Sequence, residues 1–189
     1  MKEFLLFLKN LIQLILRPRL AWQAVKDEDK EPSRLMAVGF YPLLGLTAIT
    51  AVTHGLYDIH SFSIGHQLQL ALIQFLSLFL CLFLARAAFE FAIPRLTINP
   101  PTTSNFKASN TVTIYCLSLL AVIQIIANCC PVELSIIWFL PAFVAVIACQ
   151  SAEYLGISPY KTGPFVFIAI ILLVAMPIVT AVLLGILIN

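Results

Sequence analysis

The side chains able to do chemistry fall in four places. "HGLYDIHSFSIGH" holds all three histidines, His54, His60 and His66, with Asp58 four residues after the first. Four potential ligands this close together would suit a metal ion, but their spacing follows no pattern of paired zinc ligands. The alternative is an external loop whose charge follows pH. Arg86 and Glu90, in "LARAAFEFAIPR", are one helical turn apart. Arg ahead of Glu is the weaker order for such a pair, so helix support alone explains it poorly. Either Arg86 snorkels to the membrane surface, or the two residues line a groove for a lipid headgroup or a protein partner. Glu153, in "CQSAEYLGISPYK", is expected to pair with Arg17, Arg86 or Lys161 and tie helix ends together. Cys129 and Cys130 are adjacent, as a vicinal disulfide or a soft-metal contact requires. Cys81, Cys116 and Cys149 lie in apolar runs, where Cys acts as a small apolar residue. There is no GxSxG, HExxH or Gly-rich phosphate loop. The chain therefore reads as non-enzymatic and without cofactors, and no basic–aromatic pattern points to nucleic acid.

The elements that position these residues are set by composition. Of 189 residues, 61% are hydrophobic and 11% charged, against about 25% charged in a soluble domain. Several apolar runs reach the roughly 20 residues that cross a bilayer as helix. Five spans are expected, at about 35–57, 66–93, 109–128, 132–155 and 164–188. With five, all eleven Lys and Arg residues fall on one face, whereas a four-span map breaks that partition. The positive-inside rule then gives a cytoplasmic N terminus and an external C terminus, as in a bacterial inner (plasma) membrane. The second loop, "IPRLTINPPTTSNFKASN", is expected to be the longest connection. Pro42, Pro141 and Pro177 lie inside spans and can kink them. Ala142, Ala145, Ala148 and Ala152 form a small-residue stripe for close packing. Gln74, Gln124 and Asn128 are expected to bond between helices, or else to line a solute path.

The first 34 residues form a unit of their own. In "MKEFLLFLKNLIQLIL", Lys2, Glu3, Lys9, Asn10, Gln13 and Arg17 share one sector of about 120° at helical spacing. Phe4, Phe7, Leu8, Leu11, Ile12, Leu14 and Ile15 lie opposite. This is expected to be a helix lying in the inner membrane surface, packed on the bundle or not. No small-x-small site follows, so a cleaved signal peptide is not expected. Next comes "RPRLAWQAVKDEDK", in which seven of fourteen residues are charged. Pro18 ends or redirects the first helix, Trp22 is expected at the membrane interface, and the acidic residues face the cytoplasm. The fold class is an all-α polytopic membrane bundle: 1–34 a cytoplasmic amphipathic helix and charged hinge, 35–189 a five-span transmembrane domain.

Pro18, Trp22, Val25 and Glu28 give P-x3-W-x2-V-x2-E after an oily helix, and Pro42 falls early in the first span, within "GFYPLLGLTAITAV". With five spans and a cytoplasmic N terminus, this order resembles the Yip domain family of small integral membrane proteins, its prokaryotic members above all. "NFKASNTVTIYCLSLL" is similar to that family's entry to its third span, although residues 117–120 lack the Pro that many members carry after the Tyr. The short motifs of the eukaryotic relatives, which associate with Rab-type GTPases, are not evident. The resemblance implies a membrane scaffold or adaptor for protein or lipid partners at the cytoplasmic face. The candidate site is a collar of Arg17, Trp22, Glu28, Arg86, Glu90 and Glu153, in a monomer or homo-oligomer. The competing expectations are an oligomeric small-solute transporter or channel and, on the histidine stretch, a metal-dependent membrane enzyme.

Overall fold

A computed structural model describes residues 2–54, 63–97, 103–130 and 140–188, and all the described secondary structure is helical apart from an isolated bridge between Thr97 and Ile157. The order is α1 (Lys2–Leu16), α2 (Pro18–Glu28), α3 (Pro32–Leu35), α4 (Tyr41–His54), α5 (Ile64–Leu96), α6 (Thr103–Cys129), α7 (Leu140–Tyr154), α8 (Thr162–Ile170) and α9 (Met176–Ile188). One π-helical turn, Met36–Phe40, joins α3 to α4, and another, Ile171–Ala175, joins α8 to α9. Among the described residues four helical stretches are long and apolar enough to cross a membrane: Pro32–Thr53, Ile64–Leu96, Phe106–Cys129 and Pro159–Leu187; Phe143–Tyr154 is a shorter apolar helix. Of the expected fourth span, residues 132–139 lie outside the described residues.

Both π turns have the same cause. A proline inside a helix lacks an N–H and its ring meets the carbonyl four residues back. For Pro42 that carbonyl belongs to Val38, and for Pro177 to Leu173, each inside a π turn. The wider turn moves the carbonyl away, and the chain continues through i→i−5 bonds from Tyr41 to Met36 and from Met176 to Ile171. Such local adjustments let membrane helices keep proline.

The connections differ from expectation at the second loop. Pro94 lies inside α5, which runs to Leu96, and α6 begins at Thr103. Six residues separate the two helices, fewer than expected. A proline in the last turn of a helix orphans one carbonyl near an end whose carbonyls already lack helical donors.

The bundle alternates in direction. The end of α5 meets the end of α7 through the Thr97–Ile157 bridge, and Lys161, ahead of α8, bonds to the Arg95 carbonyl at 2.7 Å. The starts of α4, α6 and α8 therefore sit at the same end as the finishes of α5 and α7. The core between them is Leu44, Leu78, Leu82, Ile114, Leu117, Val144, Phe165 and Leu173, all buried. On α7, Val144, Ile147, Ala148, Ser151 and Ala152 form the buried stripe; Ala145 is only half-buried. No disulfide joins Cys129 to Cys130; Cys81 and Cys116 are buried and Cys149 is exposed.

Candidate functional site

The charged end is assembled by α1 and α2. Around α1 there are three faces. Phe7, Asn10, Leu11 and Leu14 are buried against the bundle, while Lys2, Glu3, Lys9, Gln13 and Arg17 are exposed. Leu5, Ile12 and Leu16 form a third, apolar and exposed face, which Leu20 of α2 extends. Asn10, placed by the sequence on the polar side, is turned inward: its Nδ2 donates to Glu28 Oε2 at 3.1 Å, and its side chain is also hydrogen-bonded with the Tyr115 hydroxyl. Phe7 stacks on Tyr115 with ring centroids 5.0 Å apart. It also lies directly on Gly39, where a Cβ would come within 2.6 Å of the ring. Only glycine leaves room for that approach.

Trp22 corrects the expectation of an interfacial tryptophan. It is 3% exposed. Its ring stacks on Tyr154 at 5.3 Å and meets Tyr115 edge-on at 6.0 Å, and Nε1 donates to the Ile147 carbonyl at 3.2 Å. Burial of a large ring with its one donor satisfied makes it an anchor. The stretch from 17 to 30 is thus a docked helix, not a solvated hinge. Asp29 ends it in the left-handed region, φ 40°. Lys107 from α6 then closes over it, bonding the Asp29 carbonyl at 3.1 Å and the Asp29 and Glu31 carboxylates at 2.8 and 2.9 Å.

The six residues expected to form one collar separate into different settings. Trp22 is buried between helices, while Glu28 stands at the exposed edge of α2, bonded to Asn10 and paired with Lys30 at 2.8 Å. Arg17 is exposed at the α1–α2 joint. Glu153 forms no ion pair with Arg17, Arg86 or Lys161. Lys161 is turned to the Arg95 carbonyl and Arg86 to α6. Glu153 instead lines a cavity of about 140 Å³ between α2 and α7, with Arg19, Gln23, Lys26 and Gln150. Across it Arg19 Nε donates to Gln150 Oε1 at 2.9 Å.

Arg86 and Glu90 do come together. Both line a cavity of about 120 Å³ with Phe106, Ser109 and Asn110. Arg86 and Asn110 also wall a larger, open groove of about 640 Å³, bounded by Asp29, Glu31 and Lys107. Arg86 is half-buried; its Nε donates to Asn110 Oδ1 at 3.0 Å and one terminal nitrogen approaches the Met36 sulfur at 3.8 Å. No ion pair joins it to Glu90 among the described residues. The amide at position 110 and the clamp at Lys107 were not singled out by sequence. An Asn one turn after a Lys at a helix start carries no signal until the partner helix is known.

At the opposite end Gln74 and Asn128 exchange hydrogen bonds of 3.3 and 2.9 Å, and Asn128 Nδ2 also reaches Thr50 Oγ1 at 3.2 Å. Their expected interhelical bonding is present. Gln124 differs: its Oε1 is buried without a partner, as is Gln67 Oε1. Of the histidine stretch, residues 55–62 and the His54 side chain lie outside the described residues, while His66 opens α5. Among the described residues no group of three or more His, Cys, Asp or Glu is placed to hold a metal. No protein-family model, curated protein or solved structure matches this chain.

Proposed function

We propose that the chain is a non-enzymatic membrane scaffold or adaptor, as its resemblance to the Yip family implies, with its charged end as the docking face. The observation that carries this reading is that end's construction. Aromatic anchors fix α1 and α2 rigidly, while Arg17, Lys26 and Glu153 are left exposed with no use inside the fold. We read α7 as part of a fifth crossing, since its direction alternates with α6 and α8. Five crossings put the described Lys and Arg residues on the cytoplasmic face of a bacterial inner membrane, with the N terminus inside and the C terminus outside. The three faces of α1 suit a helix in that surface: one face on the bundle, one in lipid, one in water.

The test compares proteins and lipids retained in native-membrane lipid discs by the wild type and by a Lys26→Ala/Glu153→Ala variant. Neither side chain is buried, so the variant keeps the fold. A partner lost only from the variant is the expected result; identical retention in both overturns the docking reading. A second reading, an oligomeric small-solute transporter, is favoured by the unpartnered Gln67 and Gln124 oxygens. It requires solute flux in proteoliposomes that Gln124→Leu abolishes.

A further inference from the structure

We infer that the cavity shared by Arg86 and Glu90 holds the headgroup of a zwitterionic aminophospholipid, its phosphate on Arg86 and its primary ammonium on Glu90. The inference rests on the reading of the charged end as the face at a membrane surface, and it names the ligand there.

Depth is the first argument. α5 has 33 residues, about 50 Å of helix against a hydrocarbon core of roughly 30 Å. Arg86 lies 22 residues beyond Ile64, about 33 Å along the axis, where the core gives way to headgroups. Glu90 is one turn, about 6 Å, further out. A phospholipid presents its phosphate at the edge of the core and its amine beyond a short linker. The side chains follow the same order. Phe83, on the same side and one turn deeper, is 48% exposed and faces the acyl chains.

Charge is the second argument. Around the two cavities, which share Arg86 and Asn110, Arg86 and Lys107 face three carboxylates, Asp29, Glu31 and Glu90. Lys107 is already engaged by Asp29 and Glu31, which leaves one cation and one carboxylate facing the space and not paired with each other. A plain anion would meet a lining with a net charge of about −1. A zwitterion meets its complement.

Hydrogen bonding is the third argument. Arg86 spends its Nε on Asn110, and a guanidinium has five N–H groups, enough left to hold phosphate oxygens. Pro94 sits four residues after Glu90 inside α5. Having no N–H, it leaves the Glu90 carbonyl without its helical donor. The Glu90 carboxylate, which lines the cavity without an ion-pair partner among the described residues, offers acceptors that a primary ammonium with three donors can fill and a trimethylammonium cannot.

The test is native mass spectrometry of the delipidated full chain, titrated in turn with phosphatidylethanolamine, phosphatidylcholine and phosphatidylglycerol of identical acyl chains. Phosphatidylethanolamine should bind with a preference of roughly tenfold over the other two, the worth of one charge-assisted hydrogen bond. Glu90→Gln, at an exposed position without a side-chain partner, should erase the preference over phosphatidylcholine while leaving phosphate binding in place. Arg86→Gln should weaken all three lipids. Equal binding of the three lipids by the wild type, or an unchanged preference in Glu90→Gln, overturns the inference. Soluble phosphoethanolamine at the same concentration should displace none of the lipid; full displacement would make the ligand a soluble metabolite and overturn the lipid assignment. Resistance of the protein to alkaline extraction from membranes reads its membrane insertion separately, so failure of the lipid site is distinguishable from failure of the membrane reading.

Discussion

The two ends of the bundle are polar in different ways. At one end ionised groups predominate, but the contacts that fix geometry are aromatic: Phe7 on Tyr115 and Gly39, and Trp22 between Tyr154 and Tyr115. At the other, an amide–amide pair with a threonine joins α4, α5 and α6, with no Lys or Arg among the described residues. The difference teaches that the charges at the first end are not what holds it. Charge there stands mostly in water, where an ion pair is worth little. At the second end neutral amides are enclosed, and each needs its partner.

The largest effect expected from this contrast comes from Trp22→Ala. Removing a buried ring of this size costs about 3–5 kcal/mol, and the loss falls on the attachment of α1 and α2. Thermal unfolding in detergent should show a lower Tm, and limited proteolysis should cut between residues 17 and 30 well before the spans. Trp22→Phe should retain most of the stability, because the ring packing survives and only the bond to the Ile147 carbonyl is lost. If Trp22→Ala left protease resistance unchanged, the aromatic account of this end would fail.

That anchor marks the boundary of what the sequence made legible. Apolar runs located the four long helices to within a few residues, because a bilayer demands an uninterrupted apolar length. Gln74 and Asn128 were readable too, since an amide inside an apolar run must find another polar group. Trp22 was not, because a tryptophan beside charges looks the same whether it points to headgroups or into a slot made by a helix some 125 residues later. Asn10 failed similarly: helical periodicity put it with the lysines, but Glu28 and Tyr115 supply partners that allow burial. Spacing gave Arg86 and Glu90 a common face. It gave no account of Asn110, which draws Arg86 sideways, or of Pro94, which was read as the start of a loop. Periodicity reports which side of a helix a residue occupies; what stands opposite depends on contacts between distant segments.

A middle-sized effect should come from the amide end. Asn128→Ala removes an interhelical hydrogen-bonding residue and strands the Gln74 side chain, for a cost of about 1–2 kcal/mol. The double variant Gln74→Leu/Asn128→Leu should recover part of that loss, since it leaves neither amide orphaned. Equilibrium unfolding in mixed micelles measures both. A double variant less stable than the single one would mean that the pair acts by shape rather than by hydrogen bonding.

The smallest effect should come from the ion pair between Arg34 and Glu3, both more than half exposed. Its geometry looks favourable, with Arg34 Nε donating to one carboxylate oxygen at 3.3 Å and a second nitrogen held close to the other. Even so, an exposed pair gives up side-chain freedom and is screened by salt, so Arg34→Ala should cost less than about 1 kcal/mol. Most of that should vanish in 1 M salt, where the screening length is about 3 Å. The result bears on the whole contrast. If Arg34→Ala cost as much as Asn128→Ala and kept that cost in high salt, the charged end would be held by its ion pairs after all. A small, salt-erased effect leaves Phe7 and Trp22 as the attachment of this end.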